Sequence, residues 1–172
     1  MTVADEFALA NVSYVQNLAS DRKGLPLPPA RKVLVLTCMD ARIHPAQSLG
    51  LKEGDAHVVR NAGGRASDAL RSIVISQQLL GTKEIVVLHH TDCGMLTFQD
   101  NSLRDKLKEN PPKPNAPIAS TVESIAFLAF SNLDQSVKDD VSFLKEHPLV
   151  LPETVITGWI HDVKDGSIKQ VV

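Results

Sequence analysis

Three short runs of aliphatic and β-branched residues set the strongest limit on the fold: Val33-Leu-Val-Leu-Thr37, Ala56-His-Val-Val59 and Glu84-Ile-Val-Val-Leu88. They are continuous rather than alternating, the pattern of strands buried on both faces. Between the second and third, Leu70, Ile73, Val74, Gln77 and Leu80 recur at helical spacing and predict a helix over 69–80. Buried strands separated by helices imply a parallel sheet with right-handed crossovers. The expected fold class is therefore α/β, a single domain with a central, mostly parallel β-sheet flanked by helices.

A chain of 172 residues suits one domain and buries most of its apolar surface without a metal or disulfide staple. Its expected organisation is an N-terminal helical arm (1–30), a core carrying the candidate site (31–100), and C-terminal helices with closing strands (101–172). In the arm, Val3, Phe7, Ala10, Tyr14 and Leu18 recur at helical spacing behind a Thr2 and Asp5 capping signal. That amphipathic helix needs something to pack on, and Gly24-Leu-Pro-Leu-Pro-Pro29 ends it. Beyond the core come a polar helical stretch over 102–109, a Pro-rich loop over 110–117, and helical patterns over 118–130 and 133–144. Thr154-Val-Ile-Thr157 and Ser167-Ile-Lys-Gln-Val171 then flank Asp165-Gly166 as a closing strand and a hairpin-like end.

With a formal charge of −2 and no basic stripe, the chain has no electrostatic footprint for nucleic acid or for an acidic membrane. The first twenty residues hold neither Lys nor Arg, so they match no secretory or transit signal, and no apolar run reaches the length of a bilayer span. The cytosol is the expected compartment. Two cysteines in a reducing compartment point away from a structural disulfide and toward metal binding, redox chemistry or simple burial.

Ligands in open parallel sheets gather beyond the carboxyl ends of the strands. Cys38 follows the first buried strand directly, and His90 and Cys93 lie at the end of the third. If those strands are neighbours, Cys38, His90 and Cys93 converge as three zinc ligands with an open fourth position, the arrangement of a catalytic rather than a structural site. Ordinary burial of both cysteines is the alternative. Asp40 and Arg42, two residues apart, are placed to form a charge-assisted pair that leaves one carboxylate oxygen to accept from metal-bound water, or else to cap the following helix. Two thiolates and a neutral imidazole cancel the zinc charge, which makes a fixed acceptor more useful. A helix starting near Cys93-Gly94 would favour the Cys93 thiolate.

Cys38-Met-Asp-Ala-Arg42, Val59-Arg-Asn-Ala-Gly63 and His90-Thr-Asp-Cys93-Gly94, in this order, resemble the three signatures of the β-class carbonic anhydrases. The resemblance covers about 33–95 and implies one Zn2+ per subunit on Cys38, His90 and Cys93, with an Asp40–Arg42 dyad beside it. It also implies a homodimer or dimer-built homotetramer whose N-terminal helix packs on the partner subunit. Asn61, Gly63 and Gly94 are similar to positions around the substrate pocket, Asn61 and Gly63 as architecture first. The chain departs from plant-type members, which carry an aromatic-Gln-Pro-Gly stretch where this one has Leu49-Gly-Leu-Lys-Glu-Gly54. With five Phe, one Tyr and one Trp, the Trp-Arg-Tyr regulatory site of some relatives is also hard to place.

In length the chain looks most like the short branch, which includes carbonyl sulfide hydrolases. The expected chemistry is attack by a zinc-generated hydroxide on the central carbon of O=C=O or O=C=S, with a lean toward carbonyl sulfide. Two rivals stand beside it, a non-catalytic zinc or anion-binding module and a thiol redox protein. Strand alternation sends His89 to the face opposite His90. His44, His57, His147 and His161 read as surface or hydrogen-bonded residues and Trp159 as packing; of the four, His44 alone, shortly after the dyad, has proton shuttling at the pocket mouth as an alternative.

Overall fold

The computed structural model describes residues 2–18, 22, 24–113 and 116–172. Positions 1, 19–21 and 23 of the expected arm, and 114 and 115 of the expected Pro-rich loop, lie outside the described residues. Among the described residues five strands form one sheet in the order β2-β1-β3-β4-β5. These are β1 (Val33–Cys38), β2 (Ala56–Asn61), β3 (Glu84–His90), β4 (Val155–His161) and β5 (Ile168–Gln170). The first four are parallel, and β5 adds an antiparallel edge across the turn at Asp165-Gly166. Among the described residues six α-helices accompany them: α1 (Val3–Gln16), α2 (Pro45–Ser48), α3 (Ala66–Leu80), α4 (Asp100–Glu109), α5 (Ala119–Ser124) and α6 (Leu133–Glu146).

The continuous apolar runs of β1 and β3 are explained by cover on the helical side and by close neighbours in the sheet, whereas β2, expected to be buried as well, is an edge strand with no fully buried residue and Val58 40% exposed. Leu34 and Leu36 of β1, Ile85 and Val87 of β3 and Ile156 of β4 share one face, where they meet Ala69 and Ile73 of α3 and Val141 and Leu144 of α6. Each such aliphatic side chain contributes about 1.5–3 kcal/mol by leaving water. The other face turns Val35, Val86, Leu88 and Trp159 toward a groove of about 370 Å³. No residue of α1 is buried: its box of Thr2 and Asp5 caps the helix as expected, but Val3, Phe7 and Val15 stay exposed. Among the described residues no helix is long and apolar enough to cross a membrane.

The helix expected over 118–130 stops at Ser124. Beyond it the backbone hydrogen bonds elsewhere: the N–H groups of Leu128 and Ala129 donate to the Asp100 carboxylate, and Arg104 Nη2 donates to the Ile125 carbonyl. Leu128, at φ 62°, breaks the helical path outright. Hydrophobic spacing is blind to such remote acceptors.

α6 lies so close to β4 that a Cβ on Gly158 would sit 2.5 Å from Val137 Cγ1 and 3.0 Å from Val141 Cγ2. Both neighbours are β-branched and stiff. Gly158→Ala is therefore expected to destabilise the fold by about 1–3 kcal/mol. A urea midpoint that does not fall would show that α6 has room to move.

Candidate metal centre

Parallel pairing brings the ends of β1 and β3 together, with Leu36 opposite Val87 and Thr37 opposite Leu88. Cys38 closes β1, and His90 closes β3 two residues past Leu88. The chain then turns through Thr91 and Asp92, the latter at φ 53°, and returns Cys93 to the same place. Because β2 and β3 leave β1 on opposite sides, this is the point where the strand order reverses, and a crevice opens there.

The ligand atoms of Cys38, His90 and Cys93 all lie within 4.8 Å of one another, a cluster that small side-chain shifts adapt to zinc bonds of about 2.0–2.3 Å. They are 5%, 1% and 2% exposed. His90 Nδ1 donates to the Thr91 carbonyl at 2.8 Å, which leaves Nε2 to offer its lone pair. That Nε2 is buried with no hydrogen-bond partner, as a metal-ligand nitrogen would be. Two sulfurs and an imidazole nitrogen suit zinc, and three donors are the count of a catalytic site.

The thiols are already polarised. The neighbouring Cys93 thiol pulls the Cys38 thiol down to about 4 against the effect of burial, with the nearby His90 imidazole and the N–H groups of Asp40 and Gly63 adding to it. Cys93, beside Cys38 and buried too, is pushed up. Burial disfavours a charged His90, but the neighbouring Cys38 sulfur outweighs it and raises the imidazole.

Arg42 grips both oxygens of Asp40: Nε donates to Oδ1 at 2.9 Å and Nη2 to Oδ2 at 2.7 Å, while the Arg42 backbone N–H adds a third bond at Oδ1. The expected free oxygen is thus not free of Arg42. Oδ2 nevertheless takes the smaller share and lies 3.9 Å from His90 Nε2, facing the cluster. These bonds, with the charge of Arg42, hold the Asp40 carboxyl well below the usual carboxylate range.

Two further residues escaped the sequence reading. Asp92 accepts from Arg42 Nη1 at 2.6 Å through Oδ2, and its carbonyl accepts from Nη2 at 2.9 Å, so one guanidinium ties the Asp40 loop to the ligand turn. Arg60 donates to the carbonyls of Cys38 at 2.9 Å and Asp40 at 2.7 Å, fixing the first loop from β2. The only signals were positional, Asp92 between two ligands and Arg60 inside the second motif.

A cleft of about 360 Å³ opens over the cluster, walled by Met39, Gly63, Gly94, Met95 and Phe98, with Asp40 at its side. Asn61 acts a step behind this wall. Its Oδ1 accepts from Arg65 N at 2.7 Å and its Nδ2 donates to Arg65 O at 2.9 Å, clamping the 3₁₀ turn Ala62–Gly64. His44 is exposed at the start of α2 and does not line the cleft. His89 points to the opposite sheet face, and His161, rather than lying at the surface, is buried beside His90 in the register.

A family model described as carbonic anhydrase matches residues 33–168. β-Carbonic anhydrase 1 of Mycobacterium tuberculosis is 39% identical over 174 residues, covering 99% of each chain. A carbon disulfide hydrolase of Acidianus sp. is 35% identical over 161 residues, covering 84% of this chain and 79% of that protein. The solved structure of a carbonic anhydrase from Glaciozyma antarctica is 48% identical, superposes with a TM-score of 0.93, and each chain covers 100% of the other.

Asp92→Ala is expected to weaken zinc binding by about 10-fold or more, because the ligand turn loses its tie to Arg42. Chelator competition measures this, and unchanged affinity would reduce Asp92 to a surface ion pair.

Proposed function

The chain belongs to the β-carbonic anhydrase family, and on that premise we propose that it catalyses the hydration of carbon dioxide to bicarbonate, with carbonyl sulfide hydrolysis as a second activity of the same site. What supports this reading is Asp40 Oδ2, 3.9 Å from His90 Nε2 at the side of an apolar-walled cleft. Carbon dioxide stands first because relatives named carbonic anhydrases match this chain over nearly its whole length. The short-branch resemblance and the relatives named carbon disulfide hydrolases keep the sulfur-containing analogue in view.

Cys38, His90 and Cys93 would hold zinc, which supplies a Lewis acid that acidifies water. Asp40, ionised under its Arg42 clamp, serves as a fixed hydrogen-bond acceptor that orients the attacking oxygen; a carboxylate so acidic is a poor store for the proton, which passes on to solvent. Arg42, shared with Asp92, keeps Oδ2 aimed at the cluster. Met39, Met95 and Phe98 give a small apolar molecule with no net dipole, or a weak one, an apolar seat.

The same reading gives a homodimer or dimer-built homotetramer. A second copy has two features to cover: the exposed apolar residues of α1 and the sheet-face groove with Val35, Leu88 and Trp159.

Zinc-loaded protein assayed with both gases side by side should show higher kcat/KM for carbon dioxide. The reverse order would make it a carbonyl sulfide hydrolase, and no turnover of either gas would leave a zinc-binding module. Asp40→Asn should lower kcat/KM by about 10²–10⁴-fold with zinc retained. Removing the guanidinium in Arg42→Gln raises the Asp40 pKa, so activity relative to the parent should fall as pH falls; a ratio independent of pH would detach Asp40 ionisation from the rate.

A further inference from the structure

Behind the metal centre lies a group of charged side chains that the proposed reaction does not use. His89 is 0% exposed, and its Nε2 lies 3.1 Å from Asp140 Oδ2 and 3.3 Å from the Gly64 carbonyl oxygen. The Gly64 carbonyl can only accept, so this nitrogen carries a proton, and the Asp140 oxygen lies beside it at ion-pair distance. On the other side of the ring, Nδ1 is 2.8 Å from Ser136 Oγ. Arg65 Nε sits 3.1 Å from the same Asp140 oxygen. Phe130 stacks on His89 with ring centroids 5.6 Å apart and lies 5.4 Å beneath the Arg65 guanidinium.

Charges taken out of water cost several kcal/mol each, and well-packed apolar residues in their place are often as stable or more so. Stability alone is therefore a weak reason for this network. Its contacts converge on the turn 61–65: His89 holds the Gly64 carbonyl, Asp140 holds the Arg65 side chain, and Asn61 clamps the Arg65 backbone. Gly63 and Gly64 are both left-handed, at φ 81° and 69°. A Cβ on Gly64 would lie 3.0 Å from the carbonyl carbon of Thr37 and 3.1 Å from Cys38 N, so the turn is pressed against the end of β1. In that position the Gly63 N–H donates to Cys38 Sγ at 3.4 Å.

We propose that His89 and Asp140 are positioning residues for the metal centre: through the Gly64 carbonyl and Arg65 they hold the Gly63 N–H on Cys38 Sγ. A donor on a ligating sulfur withdraws negative charge from it and leaves the metal a stronger Lewis acid, which matters most where two thiolates already neutralise the ion. The inference rests on Cys38 ligating the metal and is independent of which gas is the substrate.

The test uses cobalt-substituted protein, in which the sulfur-to-cobalt charge-transfer band reports the charge on the thiolates. His89→Phe keeps an aromatic ring against Phe130 but cannot hold Gly64, and Asp140→Asn keeps the shape but loses the charge. A more electron-rich thiolate is expected to move the band to longer wavelength in both variants. In the zinc enzymes kcat should fall about 10-fold with KM little changed. A folded variant with the parental band and parental kcat would reduce the network to packing and overturn the proposal. Failure of both variants to fold would assign the network to stability and overturn it equally. If the parent turned over neither gas, the proposed function would fall while the band comparison still decided the role of His89 and Asp140.

Discussion

Parallel strands that hydrogen-bond side by side end level with one another, and the pairing of β1 with β3 uses this to place Cys38 and His90 on one edge of the sheet. The remaining features of the site depend on that coincidence. The turn through Thr91 and Asp92 needs to fold back only a short way to add Cys93. β2, on the far side of β1, is left free to carry Asn61, Gly63 and Gly64 around the same end. The reversal of strand order at β1 makes the crevice, and the crevice makes room for a substrate.

Charge then fixes what topology has gathered. One guanidinium, that of Arg42, is divided between Asp40 and Asp92, so the loop after β1 and the loop after β3 cannot drift apart without breaking ion pairs. Arg42 is itself half exposed, and an isolated surface pair of this kind adds little to stability. Its importance is geometric, because a bidentate grip fixes the direction of the carboxylate as well as its ionisation. The thiols add a second constraint: Cys38 and Cys93 lie together with His90, and the Gly63 N–H donates to the Cys38 sulfur.

The two histidines that end β3 divide the work according to the pleat. His90 faces the cluster, and His89 faces α6, where Ser136 and Asp140 meet it. A single strand end thereby touches the metal centre on one side and a buried charged network on the other. Both sides return to the turn at Gly63 and Gly64, where the lack of a side chain on Gly64 is what permits the approach to Thr37 and Cys38.

Much of this was legible in the chain itself. The runs at Val33, Ala56 and Glu84 marked strands, although the edge position of β2 leaves the Ala56 run only part-buried; the spacing around Ile73 marked a helix, and Cys38, His90 and Cys93 stood at strand ends, to converge if those strands were neighbours. Other features were not legible, because they belong to partners distant in sequence. The helical pattern after Ile118 gives way where Asp100 captures the backbone of Leu128 and Ala129. The role of Asp92 appears only when Arg42 arrives from another strand, and that of His89 only when α6 brings Asp140. Periodicity and motif record what each segment prefers by itself. Which oxygen faces His90, and which N–H meets Cys38, was decided by tertiary packing, since hydrogen bonds and ion pairs depend on distances that exist only once the sheet has closed.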